Sequence, residues 1–170
     1  MVKKPRPAFS NRGGCIFCKI AQGKISCYKI YEDKDHIAFL DIFPNIKGQT
    51  LVVPKKHMRS YLFNTNMRSI DKLMLASKNT ARILEKGLRA CRIHLVVEGT
   101  GVNHLHAKLY PAIGTDSRKF RQILSKESTY FETYPGFVST MMGPKASDKD
   151  LMRVYNSIKR VQKMAGQTRS

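Results

Sequence analysis

Between residues 27 and 111 the apolar pattern changes period twice, and few arrangements of a short chain accommodate that. CYKIY (27–31) and HIAFLD (36–41) are β-branched and aromatic runs separated by the acidic turn EDKD, which reads as a hairpin. TLVVP (50–54) follows the breakers Pro44, Asn45 and Gly48 and is closed by Pro54, giving a third strand. From Asn66 the period becomes helical, with Ile70, Leu73, Met74, Ser77, Ala81, Leu84 and Leu88 on one face. It then reverts to strands, RIHLVVEG (92–99) and HLHAKLYP (104–111), joined by GTGVN. Strands, one long helix, then strands again predict an α+β fold with a five-stranded antiparallel sheet and a central helix.

With 170 residues, 42% of them hydrophobic, the chain can bury one sizeable core. Residues 1–13 are basic, contain Pro5 and Pro7 and carry no acid, as expected of a tail. The domain is predicted over 14–140 and a helical extension over 141–170. There Ser147 caps a C-terminal helix whose apolar stripe is Leu151, Val154, Tyr155, Ile158 and Val161. No apolar run reaches transmembrane length, and the basic opening MVKKPRPAFSNRGG is not followed by a hydrophobic segment. A cytoplasmic protein without a membrane partner is expected.

Lys and Arg number 31 against 12 Asp and Glu, a net charge of +19. Such a field attracts polyanions, whether a nucleotide substrate or RNA and DNA held non-specifically, and it is equally compatible with a merely solvated basic surface. No zinc-finger, RRM-type or helix-turn-helix pattern accompanies it.

The chemistry-bearing stretch is GVNHLHAKLYP (101–111). On a strand His104, His106 and Lys108 share one face while Leu105, Ala107 and Leu109 take the other. Neighbouring imidazoles suit phosphate chemistry, because a neutral ring is a nucleophile and its neighbours fix its tautomer. H-x-H alone is a weak signal and also describes a sheet face with incidental histidines. AFLDI (38–42) sets one carboxylate, Asp41, in an apolar segment, where an unpartnered acid would be costly. Cys15-x2-Cys18 supplies two thiols at a metal-ligand spacing, whereas Cys27 and Cys91 fall in predicted strands and read as core residues.

The stretches CIFCKIAQGKI, YEDKDHIAFLDIFPNIKGQTLVVPKKH and VNHLHAKLYP, in that order, resemble the histidine-triad (HIT) family of nucleotide hydrolases and transferases. That resemblance implies a HIT-like fold and an enzyme in which His106 is the nucleophile on the α-phosphorus of a nucleotide, with His104 orienting it. It implies Ile16, Phe17, Phe39 and Ile42 as the apolar wall around the base and Asp41 as the acid on the ribose hydroxyls. In some members the Cys-x2-Cys pair, the histidine of Pro-Lys-x-His and the first triad histidine share a structural zinc. Here those are Cys15, Cys18, His57 and His104. A homodimer paired through the long helix and a strand is also implied. Three departures stand out. Lys108 occupies the place of the third triad histidine, Gln49 follows Gly48 where the family usually has Gly-His, and the phosphate-contacting Gly-Gln-Ser has no counterpart. The backbone amides of Thr100, Gly101 and Asn103 are the candidate substitute, as a small anion nest.

Two functions follow as expectations. The first is a HIT-type hydrolase or nucleotidyltransferase acting on a dinucleoside polyphosphate or nucleoside phosphoramidate through a nucleotidyl-histidine. The alternative is a catalytically weak nucleotide- or RNA-binding protein on the same fold.

Overall fold

In the computed structural model, residues 14–114, 127–136, 138, 144–154 and 156 are described. The chain divides into two units, Met1–Arg121 and Gln122–Ser170. The first runs α1 (Ile16–Ala21), β1 (Lys29–Glu32), β2 (His36–Leu40), β3 (Thr50–Pro54), α2 (Met67–Leu88), β4 (Ile93–Val96) and β5 (Ala107–Pro111), with a 3-10 turn at Leu62–Asn64. The five strands form one antiparallel sheet in the order β1-β2-β3-β5-β4, as the period changes predict.

The hairpin between β1 and β2 is closed by Asp33, whose Oδ1 accepts the backbone N–H groups of Asp35 and His36 at 2.8 and 2.7 Å. Central strand β3 is buried along its whole length, which explains why TLVVP shows no polar alternation. Its side chains still divide by face. Val52 joins Ala38, Leu105, Ala107 and Leu109 beneath α2, whereas Leu51 and Val53 join Ile37 and Phe39 beneath Phe17 and Ile20 of α1.

Helix α2 starts at Asn66, whose side chain accepts from Ser69 N at 3.0 Å. It ends at Arg89, in the left-handed region at φ 52°. The helix buries Leu73, Ala76, Ser77, Thr80 and Leu84. The expected apolar stripe is therefore displaced toward Ala76 and Thr80, with Met74, Ala81 and Leu88 only partly covered at its margin. Small residues at the centre let the helix lie close to the sheet.

Strand β5 is shorter than the sequence implies: it begins at Ala107, so His104 and His106 lie in its lead-in. The register pairs Val52 with Ala107, which would bring Leu105 opposite Pro54. Proline has no N–H to continue the ladder. Leu105 N instead donates to Met58 O at 2.8 Å, and Pro54 O accepts from the His104 ring. The side chains still alternate in the face they take, Leu105 entering the α2 core while both histidine rings contact Phe17. Cys27 and Cys91 likewise lie just ahead of β1 and β4 rather than within them.

In the second unit residues 148–154 are helical. Ser147 Oγ accepts from Asp150 N at 3.1 Å, the predicted cap. Leu151 and Val154 of the predicted stripe are exposed. Tyr155, Ile158 and Val161, like the 1–13 tail, lie outside the described residues. No helix among the described residues is long and apolar enough to cross a membrane.

Candidate active site and metal centre

Four ligand-bearing side chains from three separate segments converge where α1 meets the histidine lead-in. Cys15 and Cys18, three residues apart at the start of α1, face His57 from the loop after β3 and His104. Their ligand atoms lie within 4.8 Å of one another. Cys15 Sγ is 3.2 Å and Cys18 Sγ 3.5 Å from His104 Nδ1, and Cys18 Sγ is 3.4 Å from His57 Nδ1. The other nitrogen of His104, Nε2, is 2.8 Å from Pro54 O. A carbonyl only accepts, so Nε2 carries the proton and Nδ1 turns a lone pair toward the two sulfurs. Tetrahedral zinc with bonds of about 2.0–2.3 Å needs ligand separations of roughly 3.3–3.8 Å, and these three sulfur–nitrogen spacings are of that order, within a set that extends no further than 4.8 Å. Burial, followed by the neighbouring Cys15 sulfur, pushes the Cys18 thiol up, a direction that a divalent cation reverses. His104 is driven down chiefly by burial, with its bond to Pro54 opposing, which keeps the ring neutral as a ligand must be. Cys15, Cys18 and Cys27 are free thiols.

His106 is 2% exposed. Its Nδ1 lies 2.6 Å from His104 O, so by the same logic Nδ1 is the donor and Nε2 holds the free lone pair. Burial is the largest cause holding His106 below the ordinary imidazole range. The bond to His104 opposes it, Lys108 reinforces it, and the carboxylates of Glu98 and Asp41 oppose it again. A neutral ring at pH 7, with a defined tautomer, is the result. Phe17 packs edge-on against it, centroids 5.4 Å apart.

Lys108 is opposite Leu51 on β3 and Val96 on β4, on the histidine face of the sheet. Its ammonium is paired with the Glu98 carboxylate. Sequence reasoning did not single out Glu98. It is the one acid in 92–111 and lies diagonally across the strands from Lys108, but only the β4–β5 register discloses that.

Asp41 sits just past β2. Its Oδ1 accepts from Phe43 N at 2.9 Å and its Oδ2 from Gln49 Nε2 at 2.6 Å. The predicted apolar wall is graded: Phe17 and Phe39 are buried, with ring centroids 5.9 Å apart, Ile16 is half-buried and Ile42 is 70% exposed. Asn103 Oδ1 accepts from Ser60 N at 3.2 Å, which ties the loop before the histidines to the loop after β3. Gly99 (φ 71°) permits that approach, since a Cβ there would lie 2.9 Å from Ser60 O.

The HIT domain family model matches residues 22–111, more than half of the chain. An uncharacterised HIT-like protein of Mycoplasma genitalium is 38% identical over 106 residues, which cover 59% of this chain and 74% of that protein. The adenosine 5′-monophosphoramidase of Schizosaccharomyces pombe is 35% identical over 97 residues, covering 57% and 73%. Among solved structures, a zinc-bound histidine triad family protein of Mycobacterium smegmatis aligns with TM-score 0.56 and 29% identity, over 66% of this chain and 84% of that one.

Proposed function

Because the chain belongs to the HIT domain family, we propose that it is a hydrolase or nucleotidyltransferase attacking the α-phosphorus of a nucleoside phosphoramidate or dinucleoside polyphosphate through His106. The observation that carries this reading is the hydrogen bond from His106 Nδ1 to His104 O, which leaves Nε2 unprotonated on a buried, neutral ring. Nε2 forms a bond to phosphorus as the bond from phosphorus to the leaving nitrogen or oxygen breaks. The leaving group departs with the electron pair and takes up a proton. Water then displaces the ring and releases a nucleoside monophosphate. His104 orients His106 through its carbonyl, and Lys108 holds a non-bridging oxygen by charge. The amides of Thr100, Gly101 and Asn103 act as the anion nest, Asp41 accepts from the ribose hydroxyls, and Ile16, Phe17, Phe39 and Ile42 flank the base. The phosphoramidate class is supported by the activity named for the Schizosaccharomyces pombe relative.

Cys15, Cys18, His57 and His104 would hold zinc. When bound it supplies a closed structural crosslink between α1, the loop after β3 and the histidine lead-in. A cytoplasmic homodimer is part of the same reading, its pairing supported by the edge position of β4 and by Leu75, Ile83 and Leu95 left exposed on α2 and β4.

The test is AMP release from adenosine 5′-phosphoramidate and from diadenosine tetraphosphate. Wild type should turn over at least one of them, and His106→Ala should lose roughly 10³-fold or more in kcat while still binding AMP. Equal turnover by the two proteins would overturn the mechanism. The second reading, a catalytically weak nucleotide- or RNA-binding protein, is favoured by the Glu98 partner that offsets Lys108 and by the +19 charge. AMP or RNA binding by a wild type that releases no AMP would select it.

A further inference from the structure

We propose that Gln49 is the positioning residue that sets Asp41 for the two ribose hydroxyls, and that it thereby makes the site prefer ribonucleotides to 2′-deoxyribonucleotides. The inference rests on the reading of Asp41 given above and deepens it.

Leu40 and Thr50 are the last register pair of β2 and β3, so Asp41 and Gln49 are the next residues out, where the strands part. Asp41 N donates to Gln49 O at 2.9 Å, which continues the ladder by one bond. The Gln49 side chain is folded inward, with the residue only 5% exposed, and both ends of its amide are committed. Oε1 accepts from Asn45 N at 2.8 Å, and Nε2 donates to Asp41 Oδ2 at 2.6 Å. Turning the amide over would set its oxygen against the carboxylate and its NH2 against the Asn45 N–H, two repulsions in place of two bonds. The network therefore fixes the orientation of the donor.

An ionised carboxylate offers about four acceptor sites. Phe43 N takes one on Oδ1 and Gln49 takes one on Oδ2, leaving one on each oxygen. Two vicinal hydroxyls need that arrangement, one acceptor per oxygen on a carboxylate whose plane is already set. Without Gln49, Asp41 would be held through Oδ1 alone, and rotation about its broad terminal torsion would cost the second contact. A 2′-deoxy sugar makes only one of the two bonds and so has little to lose. Gln49 is buried beside this site, whereas Ile42 and Phe43 next to Asp41 are 70% and 57% exposed, so a nucleotide has access to the acid from that rim.

The test is the ratio of Kd values for 2′-deoxy-AMP and AMP on the full-length protein, measured by calorimetry, with melting temperature recorded for each variant. Wild type should favour AMP by roughly 10–150-fold, the worth of one hydrogen bond to a charged group. Gln49→Met keeps the volume and removes the donor, and it should bring the ratio close to one by weakening AMP alone. Gln49→His restores a donor and should recover part of the ratio. An unchanged ratio in Gln49→Met, or an equal loss for both nucleotides, would overturn the positioning role. A wild-type ratio of one, or an unchanged ratio in Asp41→Asn, would instead remove Asp41 from the sugar, and the inference would fall with that reading.

Discussion

The ammonium of Lys108 is paired with the carboxylate of Glu98 across the β4–β5 edge, both side chains largely shielded at 21% and 12% exposure. Val96 lies opposite Lys108, so Glu98 is two residues along on the same face. The pair ends the row begun by His104 and His106 in a nearly neutral unit, and its two charges act on His106 in opposite directions. On the proposed function, an incoming phosphate competes with Glu98 for the lysine.

Glu98→Gln should release that competition. The variant is expected to bind AMP about threefold to tenfold more tightly at low salt, with the gain shrinking at high ionic strength, as calorimetry at two salt concentrations would show. It should also melt slightly lower, because Lys108 loses its partner in a shielded position. Unchanged affinity would mean that the phosphate never reaches Lys108.

Metal is expected to add to the stability of this unit, since it would crosslink α1, the loop after β3 and the histidine lead-in through the four candidate ligands. Purified protein should contain about one zinc per chain by elemental analysis. Cys18→Ser should lower both that content and the melting temperature, by roughly 5–10 °C. Metal-free protein of unchanged stability would remove the ion from the account.

What could be read from the sequence was whatever depends on local pattern. The five strands and the long helix with its Asn66 boundary follow from period and turn residues, and the Cys15–Cys18 pair from its spacing, whereas His57 and His104 joined the ligand set only through the family resemblance. What could not be read depends on register between distant segments. Glu98 meets Lys108 only because Val96 pairs with Lys108, and Gln49 holds Asp41 only because Leu40 pairs with Thr50. Alternation correctly put the two histidines on one face yet misjudged their backbone, because the missing N–H of Pro54 acts on the partner strand rather than on its own. On α2 a pattern search favours large apolar residues, whereas close approach to the sheet selects Ala76 and Thr80.

Assembly can be tested at β4, an edge strand carrying Leu95 at 42% exposure, next to a helix that leaves Leu75 and Ile83 uncovered. If two copies join there, wild type should sediment as a dimer at micromolar concentration and Leu95→Asp as a monomer with little change in secondary structure. A monomeric wild type would contradict the proposed dimer.

Acid should act on both rate and stability, in a direction fixed by His106. Its folded pKa is depressed, first by burial, so the folded state resists protonation where the unfolded chain already accepts it, near pH 6.5. Below that value the unfolded state binds more protons than the folded one, and stability falls as pH falls. The contribution is complete above about pH 6.5 and is lost as pH drops toward the folded pKa. Turnover, which on the proposed mechanism needs the neutral ring, should hold as pH is lowered through the ordinary imidazole range and decline only below it. Protonation of His104 has the same sign and would also release metal, so the two must be separated. Denaturant melts of wild type and His106→Gln between pH 7.5 and 5.5 do this, because the variant keeps the metal ligands and lacks only the buried ring. The wild-type curve should lose stability more steeply with acid than the variant's, and parallel curves would show that His106 titrates alike in both states.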